Sequence, residues 1–441
     1  MKPLDAFNQG LLDFLAASPT PFHAAANGLA LLTEAGFQPL AEADAWEIAP
    51  GGRYVLTRNG SALLAFTSGF RPLAETGFHM VGAHTDSPGL RLKPRPRFVR
   101  HGAVQLGVEV YGGPLLHPWF DRDLSMAGRV AGRTGSGQIV SRLIDFRSPV
   151  AMIPSLAIHF DREANKGRPI NAQDDLPPIV GLAGDEEETP DFREILLRRL
   201  RAEEPDTEVA AVLDFEMCLY DAQPPNFVGL KREFIAGGRL DNLMSCYAGL
   251  QAMAEADPES PCLLILNDHE EVGSNAGGGA AGPFLHAVLN RLCPDPESLA
   301  RTVARSQLIS ADDAHGVHPN HAGKSDPEHQ PFLNGGPVIK VNASHRYASN
   351  SETAARFRGL CQTAEVPVQE FVMRSDLACG STIGPLTEAR IGVATADVGV
   401  PIWAMHSIRE TGGSRDTHYL YRALRPFFGA AGTSSGEGEK A

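Results

Sequence analysis

A chain of 441 residues with 43% hydrophobic and 21% charged residues has the composition of an ordinary globular protein, long enough for two domains with large buried cores. Its formal net charge of -14, with no dense cluster of Lys and Arg, argues against nucleic acid or an acidic membrane as a partner. The cysteines Cys218, Cys246, Cys262, Cys293, Cys361 and Cys379 form no CxxC pair, so neither a thiolate metal site nor a disulfide framework is expected, and any metal must be held by His and carboxylate.

The first elements are two amphipathic helices within residues 1–45, separated at SPTPF, where Pro19 and Pro21 forbid a continuous helix. The opening segment carries acids within its amphipathic pattern and lacks the unbroken apolar stretch of a signal peptide. No later run is long enough to span a bilayer, so a cytoplasmic location is expected. YVLTRNGSALLAF reads as a hairpin around Asn59 and Gly60. FHMVGAHTDSPG then gives a strand through Met80 and Val81 that breaks at His84.

Residues 93–235 differ in texture. GVEVYGGPLLHPW, AGRVAGRTGSGQIVSRLIDF and AVLDFEMCLYD are short β-rich runs with glycine turns, and RTGSGQ is a hairpin turn. They suggest a β-rich domain inserted into an α/β domain composed of residues 1–92 and 236–428. The acidic stretch GDEEETPDF, residues 184–192, reads as a solvated loop, and the tail 429–441 has nothing to bury and is expected to be disordered.

Beyond the insert, helical spacing of Leu243, Tyr247, Leu250 and Met253 follows Asp241 of GGRLDNLM. Short apolar runs of strand length come next: LLIL before Asp268 and the adjacent Glu270 and Glu271, QLISA before Asp312 and Asp313, IGVAT before Asp397, and PIWAM before His406. Strands alternating with helices predict an α/β fold with a mixed, largely parallel sheet flanked by helices.

Ligand sites in such sheets form outside the carboxyl ends of the strands, where His84, Glu270, Glu271, Asp312 and His406 collect. Any one of them alone is an ordinary polar residue, and Asp241 alone is an ordinary N-cap. Together, so many carboxylates at one sheet edge would repel and desolvate one another unless cations neutralise them. Imidazole and carboxylate without thiolate suit Zn²⁺ best, with Mn²⁺ or Co²⁺ possible. Two imidazoles and three carboxylates would hold two such ions that share one Asp, leaving the last carboxylate to move protons. In AHTDSP, Asp86 could accept a hydrogen bond from the ring nitrogen of His84 turned away from a metal, or act as a turn residue before Ser-Pro. Lys340, set between Ile339 and Val341, needs an anionic partner, either one of the protein's own acids or one brought by a ligand.

The motifs SPTPFHA, GAHTDSPGLRLKP, GGRLDNL, LNDHEEVGS, SADDAHGVHPN, GPVIKVNASHRYASN, MRSDLACGSTIGP and MHSIRETGGSRD together resemble the aspartyl aminopeptidases, a cytosolic branch of the dinuclear zinc exopeptidases, over nearly the whole chain. The resemblance implies that Asp241 bridges two zinc ions, that His84 and Asp312 complete one position, and that Glu271 and His406 complete the other. Asp312 is chosen because SAD then aligns; Asp313 is its rival. Glu270 becomes the general base, which requires the chain to leave extended geometry there, since neighbours in a strand face opposite ways. The resemblance also implies that Lys340 binds the side-chain carboxylate of a substrate Asp or Glu, with His315 and Tyr347 as polar wall. It implies that the insert is a dimerisation domain within a tetrahedral dodecamer, and that His159 reaches a neighbouring subunit's active site; without it, His159 reads as a strand residue on a wet face. A broad-specificity, leucyl-type aminopeptidase is the alternative enzyme, and a catalytically silent shell or receptor subunit the alternative from outside catalysis.

Overall fold

The computed structural model describes residues 1–184, 191–293 and 295–429. The acidic residues 185–190 and the tail from 430 onward lie outside the described residues, and the expectations of a solvated loop and a disordered tail lie there with them.

Helices Leu4–Ala17 and Pro21–Glu34 open the chain. Pro21 sits in the first turn of the second, where its missing N–H costs nothing, and the Thr20 side chain accepts the His23 N–H there. Strands Arg53–Arg58 and Ala62–Thr67 pair antiparallel. Asn59 and Gly60 between them take φ of 55° and 67°, the left-handed pair that a type I′ turn requires.

These strands belong to a nine-stranded mixed sheet. At its centre, Cys262–Asn267, His79–His84, Gln307–Ala311 and Ala394–Gly399 lie side by side and all parallel. Parallel register brings their carboxyl ends to one edge: His84 lies opposite Asn267, and Ser310 opposite Gly82. Val81, Ala83, Leu264, Leu266 and Ile309 are buried along them. Each fully buried Val, Leu or Ile contributes roughly 1.5–3 kcal/mol, so the edge that carries the polar residues is held by a stiff apolar frame. Helix Leu240–Ala254, buried along almost its whole length, packs on this frame and delivers Asp241 from its first turn.

Val338–Val341 runs antiparallel to Ala394–Gly399 and places Lys340 on the same sheet. The crossing is close: a Cβ at Gly399 would overlap the carbonyl oxygen of Asp312. Asp397, expected where a strand ends, lies inside Ala394–Gly399 and is fully buried. It can stay there because it accepts hydrogen bonds from the Thr382 hydroxyl at 2.8 Å and the Ala348 N–H at 2.5 Å, which offset its desolvation.

A second, wholly antiparallel sheet of six strands is drawn from Gly89 to Asp221. Helix Phe192–Glu203 packs on it, and Leu90, Leu106, Met126, Val130, Leu196 and Leu200 form a core apart from that of the first sheet. A third, small sheet joins Asn226–Val228 and Phe234–Gly237 to Glu410–Gly413, Pro401–Trp403 and Ala314–His315. Among the described residues all six cysteines are free, and no helix is long and apolar enough to cross a membrane.

Candidate metal centre

His84, Asp241, Glu270, Glu271, Asp312 and His406 line one cavity of about 380 Å³ at the carboxyl edge of the parallel strands. Their ligand atoms fall into three groups, each mutually within 4.8 Å: His84 with Asp241 and Asp312, Asp241 with Glu271 and His406, and His84 with Glu270 and Glu271. Asp241 faces two ways. Its Oδ1 lies 3.5 Å from His84 Nε2, and its Oδ2 3.5 Å from His406 Nε2.

Main-chain carbonyls orient both imidazoles. His84 Nδ1 donates to the carbonyl of Asp86 at 3.0 Å, and His406 Nδ1 to that of Gly113 at 3.1 Å. Each ring therefore turns Nε2 toward carboxylates: His84 toward Asp312 at 3.3 Å, His406 toward Glu271 at 3.4 Å. Acceptors so close are stable only with positive charge among them, either a second proton on each ring or a cation. Burial alone would lower the pKa of His406, but Asp241 and Glu271 hold it up at about 10. Burial, with Asp241 beside it, pushes Glu271 up to about 9, and burial with Asp312 and Asp241 nearby pushes Glu270 up to about 7.

Three buried carboxylate oxygens of residues lining the cavity, Asp241 Oδ1, Glu271 Oε1 and Asp313 Oδ2, have no hydrogen-bond partner among the described residues. A buried carboxylate oxygen without a donor is costly, and orphans at the shared residue and at its neighbour are what a cation would satisfy. The donors are all imidazole and carboxylate, the hard-to-borderline set that zinc takes. The residues present therefore fit a metal pair.

The adjacent glutamates do leave extended geometry. The strand ends at Asn267, and Glu270–Val272 form a single 3₁₀ turn between His269 and Gly273, with φ of 64° and 96°. Asp86 fixes this turn: its Oδ1 accepts the N–H of Glu270 at 3.0 Å and its Oδ2 that of Glu271 at 3.1 Å. The Tyr111 hydroxyl adds a third hydrogen bond at 2.7 Å. The Asp86 carboxylate lies 3.5 Å from His84 Nδ1, farther than its own main-chain carbonyl, so its side chain serves the glutamate turn more than the ring. Asp313, the rival to Asp312, turns away toward Ser245, whose hydroxyl approaches at 3.4 Å, and belongs to none of the three groups.

Lys340, which lines the same cavity, is 2% exposed. Its ammonium donates to the Asp313 carbonyl at 3.1 Å, lies 3.4 Å from Asp312 Oδ2, and stands 5.3 Å from the centre of the Tyr347 ring. His315 is exposed to the cavity, its ring edge-on to Phe371. His159 lies in an exposed turn, not a strand, flanked by Ile158 and Phe160, the latter 81% exposed. It is not among the residues lining this subunit's cavity.

Sequence reasoning missed Glu410 and Tyr111. Glu410, 1% exposed, accepts the N–H of Asp241 and that of His406. In the sequence Glu410 follows Arg409 and gives no signal of its own. Tyr111 gives none either, since its contact with Asp86 exists only in three dimensions.

The family model described as "Aminopeptidase I zinc metalloprotease (M18)" matches residues 14–428. A probable M18 family aminopeptidase 2 of Stutzerimonas stutzeri (strain A1501) is 56% identical over 427 residues, 97% of this chain and 99% of its own. Its counterpart in Pseudomonas aeruginosa (strain UCBPP-PA14) is 56% identical over 96% of this chain and 98% of its own. Among solved structures, Ape4 in its complex with Nbr1 is similar at a TM-score of 0.92 and 38% identity, over 96% of this chain and 86% of that one. The S. cerevesiae mApe1 dodecamer is similar at 0.83 and 29%, over 96% of each chain.

Proposed function

The chain belongs to the M18 family of zinc metallo-aminopeptidases, and from that premise we propose that it removes amino-terminal Asp or Glu from peptides in preference to other residues, using two zinc ions per subunit. The observation that carries this reading is one cavity that joins two His-carboxylate groups sharing Asp241 to Glu270 and to the ammonium of Lys340. Zinc would be held by His84, Asp241 and Asp312 at one position and by Asp241, Glu271 and His406 at the other, where it supplies Lewis-acid polarisation of the scissile carbonyl. Mn²⁺ or Co²⁺ would suit the same donors.

Glu270, held on its turn by Asp86, takes the proton of the attacking water and returns it to the leaving amine. Lys340 receives the side-chain carboxylate of the substrate, with His315 and Tyr347 beside it. The competing reading, a broad-specificity leucyl-type aminopeptidase, draws on one observation: Lys340 already lies 3.4 Å from Asp312, so its charge has an internal partner. A panel of amino-terminal aminoacyl amides, assayed after chelation and again after adding Zn²⁺, Mn²⁺ or Co²⁺, tests the proposal. Activity is expected to vanish on chelation, return with zinc, and favour Asp and Glu; activity that survives complete metal removal would overturn it.

Residues 93–235, which hold most of the second sheet, are proposed as a dimerisation domain, with subunits assembled into a tetrahedral dodecamer in the cytoplasm, and His159 as a residue given to the neighbour's active site. The exposed apolar flank at Leu156, Ile158 and Phe160 supports a buried contact there, as does the dodecamer of the S. cerevesiae relative. His159→Ala is expected to lower activity, and exchange of its subunits with those of Glu270→Gln to restore part of it. In a mixed pair, the intact Glu270 of one subunit meets the intact His159 of the other. No recovery after verified exchange counts against action between subunits.

A further inference from the structure

We infer that Glu410 is a positioning residue that shapes one of the two zinc positions, by gripping the main chain of two of its ligands at once. The inference rests on the two-zinc reading proposed above. Glu410 opens the strand Glu410–Gly413. Its Oε2 accepts the N–H of Asp241 at 3.0 Å, and its Oε1 that of His406 at 2.7 Å. The two residues so joined are far apart in sequence, one in the first turn of a buried helix and the other in a loop.

Both main chains need holding. His406 has φ of 67°, and Arg239, just ahead of Asp241, has φ of 61°. A non-glycine residue in this left-handed region is unfavourable and persists only where its surroundings over-determine it. Glu410 supplies part of that determination with two hydrogen bonds in a buried setting. The chemistry is specific: both partners are donors, so both oxygens must accept. An amide would set its NH₂ against one N–H and strand a buried donor.

The arrangement is uneven between the two zinc positions. Glu271, third member of the His406 group, has its N–H held by Asp86, so two buried carboxylates fix all three main chains of that group. In the other group, His84 ends a parallel strand and Asp312 directly follows one, and the sheet places them without Glu410. Asp241 is common to both groups, so loss of Glu410 would loosen two of the three ligands at the His406 position but one at the His84 position, and should fall mainly on the former.

The test is zinc titration of the chelator-stripped protein against a competing chromophoric chelator, with the thermal midpoint of the stripped protein as a control on folding. Wild type is expected to take up two ions per subunit. Glu410→Gln is expected to keep one near wild-type affinity and bind the other about 10- to 100-fold more weakly. Two ions held as tightly as in wild type, or both weakened alike, would overturn the inference while leaving the two-zinc reading standing. A wild type that takes up one ion would overturn that reading first, and this inference with it. Should Glu410→Gln fail to fold, Glu410→Asp keeps both acceptor oxygens but shortens their reach. The same selective loss is then expected in smaller measure, and unchanged binding would overturn the inference.

Discussion

Glu270→Gln is expected to lower kcat by about 10² to 10⁴ while leaving the fold and the zinc content unchanged. The amide matches the carboxylate in shape but cannot take a proton. The main-chain N–H of Glu270 would still reach Asp86, so the turn should hold its form. Glu271→Gln is the necessary contrast, since it lies one residue away on the same turn. Its carboxylate belongs to the group with Asp241 and His406, so it should lose zinc from one position. The geometry admits one rival, because Glu270 also lies within reach of His84 and Glu271 as a third group. Zinc lost equally from both variants would favour that rival, whereas a Glu270→Gln enzyme of near-wild-type kcat and full zinc content would remove the general-base assignment and the rival together.

What the sequence made legible was what one strand or one turn encodes. The parallel strands ended near His84 and Asp312 because apolar runs of strand length stop there, and the hairpin formed at Asn59 and Gly60 because few other pairs tolerate two left-handed residues. The bend at Glu270 was legible because adjacent glutamates in a strand could not share a face. Illegible were the contacts between distant segments. Nothing near Asp86 indicates that its carboxylate would hold the glutamate turn from 184 positions away. Asp397 looked like a strand end because a buried Asp is expensive, and its compensating donors, Thr382 and Ala348, come from other segments. Glu410 was passed over for the same reason: its value lies in two N–H groups that only the fold brings together.

Acidic amino-terminal substrates should exceed Leu substrates by at least about 10² in kcat/KM, and Lys340→Leu should erase most of that difference by slowing the acidic ones. The ammonium has three donors, of which the Asp313 carbonyl at 3.1 Å takes one and Asp312, at a longer 3.4 Å, engages a second weakly. The Tyr347 ring, 5.3 Å away, favours the cation without using a donor. A carboxylate entering the cavity can therefore meet a charge that is desolvated and incompletely paired, whereas an apolar side chain would leave it so. Truncating one partner of such a buried pair costs roughly 2–5 kcal/mol, a range that brackets the roughly 2.8 kcal/mol a 10²-fold preference needs. The internal contact with Asp312 defines the opposite outcome. If the role of Lys340 were to hold Asp312, Lys340→Leu would weaken zinc binding at the His84 position and slow Asp, Glu and Leu substrates alike. Unchanged zinc content with a loss confined to acidic substrates would assign the lysine to specificity, and a wild-type enzyme that cleaved Leu amides as fast as Asp amides would favour the broad-specificity reading.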